Sequence, residues 1–296
     1  MHPAPSVILF TSLSGLGFGL LFFLGLGMPA STGLVAFVFY AIAYAFAVGG
    51  LIFSTFHLGH PERALKAFTQ WRSSWLSREA WLAVMALCVS GLGAIAQIFF
   101  ETRIDTISYL GAALSMATVF STAMIYRQLA TIPRWHTPWT PVLFLGYSLA
   151  GGALFAGQVS LAMPALCVLA ALQVVAWMQG DRSLADSGTT LATATGLGDR
   201  GSVRAFEPPH TGTNYLLKEF VCVVGRTHAA KLRIIALILF AGTPVLLLAL
   251  EFNHILALLA VIVHIAGVIT SRWLFFAQAE YVVGLYYGKR KNQNPP

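Results

Sequence analysis

The sequence predicts an all-α, polytopic membrane protein with eight transmembrane helices, and three observations predict it. Hydrophobic residues make up 57% of the 296 positions and charged residues only 10%. A soluble domain carries about 25% charged residues, so this chain has too few to cover a wetted surface, and its mean hydropathy is +0.74. The apolar residues fall in runs close to the roughly 20 residues a membrane helix needs. The cationic residues lie almost entirely in alternate connections between those runs. Soluble-enzyme, disordered, collagen-like and disulfide-rich classes are excluded at this step.

The first run, 6–27, lacks the basic segment that opens a signal peptide and is read as a retained span. The next three, 33–56, 78–100 and 107–130, are long and uninterrupted. The fifth is 139–158. The sixth, 163–180, is short and opens beside Pro164. The last two are 232–250 and 253–277. The whole chain, 1–296, reads as one integral membrane domain, without a repeat or a low-complexity tract. Its polar connections 57–77 and 181–231 are expected to form a docking surface. The longer one holds Gly196, Gly198, Gly201, Pro208 and Pro209, the chemistry of ordered turns.

Eight spans put both termini on one side. On that side lie Arg63, Lys66, Arg72 and Arg78, then Arg127 and Arg134. The long loop adds Arg182, Arg200, Arg204, Lys218, Arg226, Lys231 and Arg233, and the C-terminus Lys289, Arg290 and Lys291. These are 16 of the 18 Lys and Arg; Arg103 faces the other way and Arg272 sits near the end of the last span. Positive loops stay inside, so cytoplasmic termini in a bacterial inner membrane are expected. The net charge of +7 is therefore a topology signal, and no nucleic-acid partner is expected. All seven Trp also fall at or near that end.

Small residues cluster in the spans at Gly15 and Gly19, Gly49 and Gly50, and Gly151 and Gly152, which reads as close helix packing. Polar residues at membrane depth are more informative, because they are costly there. His57 ends the second run and Glu79 opens the third, so loop closure brings both to the same membrane surface. An imidazole that donates to a quinone carbonyl and a carboxylate that relays a proton would suit proton-coupled chemistry. The same residues equally suit a scaffold: Glu79 in a first helical turn is favoured by the helix dipole alone. His57 and His60, three apart, lack a clear third metal ligand.

His264 is the one histidine well inside a span. A bis-histidine haem needs a second at similar depth, and His254 lies about 15 Å away along the same helix. His264 is read as a hydrogen-bonded core residue, and Arg272, two turns on, as a snorkelling cation. Cys88, Cys167 and Cys222 are too few for an iron–sulfur cluster. No haem or cluster is expected in this protein.

The stretches His57-Leu58-Gly59-His60-Pro61-Glu62-Arg63 and Gln70-Trp71-Arg72-Ser73-Ser74-Trp75-Leu76-Ser77-Arg78-Glu79, together with the eight-span layout, resemble the membrane anchor subunits of dimethyl sulfoxide reductase-type enzymes, the DmsC family. Phe206-Glu207-Pro208-Pro209-His210-Thr211-Gly212-Thr213-Asn214-Tyr215 adds a resemblance to the sulfite:quinone oxidoreductase branch. The resemblance implies three subunits in a membrane-held complex. One carries a molybdenum bis-pterin cofactor, and a ferredoxin-like one carries iron–sulfur clusters. The anchor sits among membrane lipid and exchanges electrons with ubiquinone or menaquinone. It implies a quinone-site histidine at His57 and an acidic partner at Glu79; His60, where other branches often have a different residue, and Arg78, which points about 100° around the helix from Glu79, are the further quinone-site candidates. Basic loops on the docking side fit a complex that oxidises sulfite inside the cell. The alternatives are a quinol-oxidising dimethyl sulfoxide reductase-like complex, or an anchor without a quinone site. A secondary transporter would show paired interrupted spans, and none is evident.

Overall fold

The computed structural model describes residues 3–56, 60–204, 206–207, 228–250 and 253–287. Among the described residues eight long helices form one bundle: α1 (Pro5–Gly25), α2 (Gly33–Thr55), α3 (Trp75–Phe99), α4 (Asp105–Arg127), α5 (Trp139–Phe155), α6 (Val159–Asp186), α7 (Ala229–Ala249) and α8 (His254–Ala277). Seven are long and apolar enough to cross a membrane. The eighth, α5, has 17 residues, the lower edge of what a span needs. No strand occurs among the described residues.

Helix α1 runs through the middle and packs on α2, α4, α5 and α8. Its neighbours approach it to backbone distance. A β-carbon at Gly17 would fall inside the Ala47 backbone, and one at Gly19 inside that of Ser148. Gly50 of α2 meets the Ser14 backbone, and Gly152 of α5 meets Gly19, in the same way. Gly15 and Gly49, by contrast, have nothing within 4 Å. The packing code therefore runs through Gly17, Gly19, Gly50 and Gly152, and the clustered glycines of the sequence pointed to all of these but Gly17. Small residues supply association energy in lipid because close approach maximises dispersion contact.

Helix α6 departs from the sequence expectation. It opens at Val159, with Pro164 inside it, and continues to Asp186, 28 residues in all. Pro164 removes one helical donor near the start and the helix tolerates it there. At 1.5 Å per residue it is about 42 Å long, so its last turns project beyond a hydrocarbon core of about 30 Å. Asp181 holds that end in place by bonding Arg134 (2.8 Å) and Arg233 (2.6 Å). The long polar connection thus begins as helix rather than loop. A short helix (Leu191–Thr195), capped by Thr190, follows.

Helix α7 contains a π turn, Ile238–Gly242, just before Pro244. Pro244 has no N–H, so the Phe240 carbonyl loses the donor a regular helix would give it. His264 of α8 fills that vacancy: its Nδ1 donates to the Phe240 oxygen at 2.6 Å. One turn further along α8, a β-carbon at Gly267 would strike the Phe240 backbone, so the two helices touch at this break. In lipid a backbone carbonyl must be satisfied internally. His264, wholly buried, is a core residue as expected, with a definable structural task.

His264→Ala should then cost about 1–3 kcal/mol of stability, the penalty for an orphaned buried acceptor. Pro244→Ala restores an N–H, so the double variant should lose clearly less than the two single losses added together. Unfolding of the detergent-solubilised protein measures this; strictly additive losses would show that the bond does not bridge the break.

Candidate functional site

The described part of the connection, residues 60–74, folds back on the start of α3. A 3-10 helix, Pro61–Phe68, precedes a turn, and the Trp81 indole donates to the Phe68 carbonyl at 3.0 Å. The Arg78 guanidinium donates to the carbonyls of Trp71 (3.0 Å) and Arg72 (2.6 Å) and lies 4.4 Å from the Trp75 ring centroid. Arg78 thus clasps the loop to the helix, with its Nε and one terminal nitrogen donating to loop carbonyls.

The opposite face of this first stretch of α3 turns inward, with Ser77 and Glu79 buried. Glu79 is 4% exposed, and its carboxylate accepts a hydrogen bond from the Thr122 hydroxyl of α4. Tyr126, one turn beyond Thr122, opens an aromatic wall: its ring lies 5.3 Å from Trp135, 5.7 Å from Phe144 and 5.5 Å from both Phe275 and Phe276. A carboxylate serving only the helix dipole would do so from the solvated surface. Glu79 is instead inside the bundle, at its basic end, with a neutral hydroxyl as partner.

Of the other expected site residues, His60 is exposed and pairs with Glu62 at 2.9 Å; its hydrogen bond does not lead to Glu79. His57 lies outside the described residues, as do Cys222, Tyr215 and Phe220. Among the described residues no three His, Cys, Asp or Glu side chains gather as a metal site.

Three participants were not foreseen. Thr122 belongs to a buried polar face of α4 with Ser108, Ser115 and Thr118, whose three- and four-residue spacing marks one side of a helix. Tyr126 continues that face. Arg272 does not snorkel: it is 3% exposed, and its guanidinium lies 3.6 Å from the Phe144 ring centroid. Burial over an aromatic face replaces part of the lost hydration.

A helical membrane bundle with a buried acid at one end, and with loops exposing Leu65, Trp71 and Phe206 on that side, has the architecture of a membrane anchor that receives partner chains. The protein belongs to the DmsC family, the DMSO reductase anchor subunits, whose family model matches residues 1–288. It is 31% identical to the C subunit of the sulfite dehydrogenase of Allochromatium vinosum, over 97% of its own length and 99% of that protein. It is 30% identical to the C component of the anaerobic dimethyl sulfoxide reductase of Escherichia coli, over 44% of its own length and 51% of that one. No solved structure matches significantly.

Thr122→Val keeps shape and removes the donor. It should lower stability by about 1–3 kcal/mol, because the buried carboxylate is left unbonded, while Thr122→Ser should cost less than half of that. Thermal melting of the solubilised protein checks this; equal losses in both variants would mean that packing, not the hydroxyl, matters there.

Proposed function

We propose that this protein is the membrane anchor and quinone-reducing subunit of a cytoplasm-facing molybdenum and iron–sulfur complex that oxidises sulfite to sulfate. The observation that carries the quinone reading is the burial of Glu79 at the basic end, where the Thr122 hydroxyl is its hydrogen-bond partner among the described residues. The substrate reading draws support from likeness, along its whole length, to the C subunit of a sulfite dehydrogenase. The bias of basic residues toward one end supports a cytoplasmic docking face in a bacterial inner membrane.

The reaction divides between polypeptides. A molybdenum subunit takes sulfite and water to sulfate, releasing two electrons and two protons. A ferredoxin-like subunit passes the electrons on. At the membrane surface quinone takes two electrons and two protons to give quinol. The anchor's part is the headgroup site: His57 donates to a quinone carbonyl, and Glu79 takes up and delivers a proton, with the Thr122 hydroxyl holding the carboxylate in place. His60 and Arg78 flank that site, and Arg78 shapes it by fixing the loop. The partners dock on the connections 57–77 and 181–231, where Leu65, Trp71 and Phe206, the last 91% exposed, present apolar surface.

His57→Ala and Glu79→Gln should each slow sulfite-dependent quinone reduction, by roughly 100-fold or more for an acid–base role. Sulfite oxidation with a soluble acceptor should stay intact. Turnover is measured per assembled complex. A fall in complex amount with unchanged turnover would make both residues scaffolding and the protein a purely structural anchor.

Deletion of 196–215 should release the soluble subunits from the membrane fraction, as ordering of a polar loop on a partner allows. Full retention of those subunits on the membrane would place docking on other loops.

A further inference from the structure

A second cluster of buried polar groups lies away from Glu79, between the basic ends of α5, α6 and α8. It surrounds a cavity of about 50 Å³, several times what one water needs. Arg134, Gln173 and Arg272 line it together with Trp139, Phe144 and Trp177. The Nε of Arg272 and the Nε of Arg134 are both buried without a hydrogen-bond partner among the described residues. Gln173 spends its carbonyl oxygen on the Tyr147 (3.0 Å) and Ser271 (3.4 Å) hydroxyls, and neither bond uses its amide nitrogen. The buried lining atoms left without a partner among the described residues are therefore guanidinium donors.

Charge points the same way. Arg134 and Arg233 share the single carboxylate of Asp181, and Glu280 adds its field at Arg134. Arg272 has the faces of Phe144 (3.6 Å) and Tyr147 (5.1 Å) beside it, with no carboxylate paired to it among the described residues. A buried cation of this kind is costly unless an anion completes it. Gly180 makes the site possible: a β-carbon there would lie 2.7 Å from an Arg134 terminal nitrogen, so any side chain would push the guanidinium out of place.

The cavity shares Thr137 and Gln179 with a wider groove of about 640 Å³ that is lined by Val175, Met178 and Arg182. Val168, Val175, Met178 and Arg182 follow one another on α6 at spacings of seven, three and four. That puts them on one face, and Val168 and Met178 are among its most exposed apolar residues. An apolar stripe thus runs up the outer face of α6, opposite the buried Gln173 and Trp177, and ends at Arg182.

The geometry points to a binding site for the phosphate of an anionic membrane phospholipid, with the headgroup at Arg134, Gln173 and Arg272. Basic pockets between helices at the cytoplasmic surface are where such headgroups are held. Guanidinium donors suit phosphate oxygens, which accept several charge-assisted bonds at once.

The test uses the purified complex, stripped of lipid in detergent, and follows its melting temperature on adding short-chain phosphatidylglycerol, phosphatidylcholine or inorganic phosphate. Phosphatidylglycerol should raise it, and phosphatidylcholine much less. Arg272→Gln should weaken the half-effective concentration roughly tenfold or more, the loss of a charge-assisted contact, while the change Glu101→Gln, exposed at the other end of the bundle, should leave it unchanged. If Arg272→Gln does not assemble, Gly180→Ala keeps every charge and should weaken the response in the same sense. Equal stabilisation by inorganic phosphate would overturn the lipid in favour of a free oxyanion. No response to any of the three, or a response indifferent to both variants, would overturn the site altogether. Quinone activity enters none of these readings, so they stand apart from the proposal for His57 and Glu79.

Discussion

The bundle depends on how closely its other helices can approach α1. Lipid is as apolar as a leucine side chain, so helices gain nothing by hiding hydrophobic surface from it. They associate through dispersion contact and through small-residue faces that let backbones meet. Gly17 and Gly19 on α1 meet Ala47 of α2 and Ser148 of α5 at backbone range. Once α2, α4 and α5 are seated, the remaining geometry follows. Helix α4 can present its polar face to α3, and Tyr126 can reach the aromatic groups of α5 and α8.

The second constraint is where polar groups inside the spans find their partners. Many hydroxyls return to their own helix. Thr11 bonds the Val7 carbonyl at 2.9 Å, Ser14 that of Phe10 at 2.6 Å and Thr118 that of Leu114 at 2.8 Å. Such back-bonds are the default for serine and threonine in helices. Thr122 stands out against them. It lies 3.1 Å from the Thr118 carbonyl, yet also reaches the Glu79 carboxylate across the helix interface. His264 stands out for a different reason: its partner exists only because Pro244 broke the neighbouring helix. Two deep polar residues that look alike in composition thus have unlike roles, one repairing the backbone and one holding an acid.

How much was legible follows from which signals are local. Span positions came from runs of apolar residues, and seven of the eight helices lie within a few residues of them. The exception, α6, was shortened because Pro164 and the charges after Gly180 read as boundaries. The helix runs through both, since beyond the bilayer Asp181 and Arg182 suit a helix as well as apolar residues do within it. Glu79 was legible from its place at the start of a span, but its partner Thr122, 43 positions away, was not. The polar spacing on α4 held that signal. Arg272 was misread for a related reason. Two turns from a helix end, an arginine reaches the interface only if its face of the helix points to lipid, and helix rotation is set by tertiary packing. The clasp made by Arg78 could not be read either, because its acceptors are backbone carbonyls, which every residue offers.

The placement of Glu79 and Arg272 carries a final consequence. Both are buried at the basic end, and both lie against the same aromatic wall, Glu79 near Tyr126 and Arg272 on Phe144. Side by side, they would have formed a buried ion pair, each group's demand met by the other. Tyr126 stands near both, and no ion pair joins them among the described residues. Among the described residues the acid has a hydroxyl for a partner and the cation has ring faces. A fold optimised for stability alone has no reason to bury an acid and a guanidinium that do not pair. The two sites proposed above, a proton-exchanging headgroup beside the acid and an anion beside the cation, would supply one.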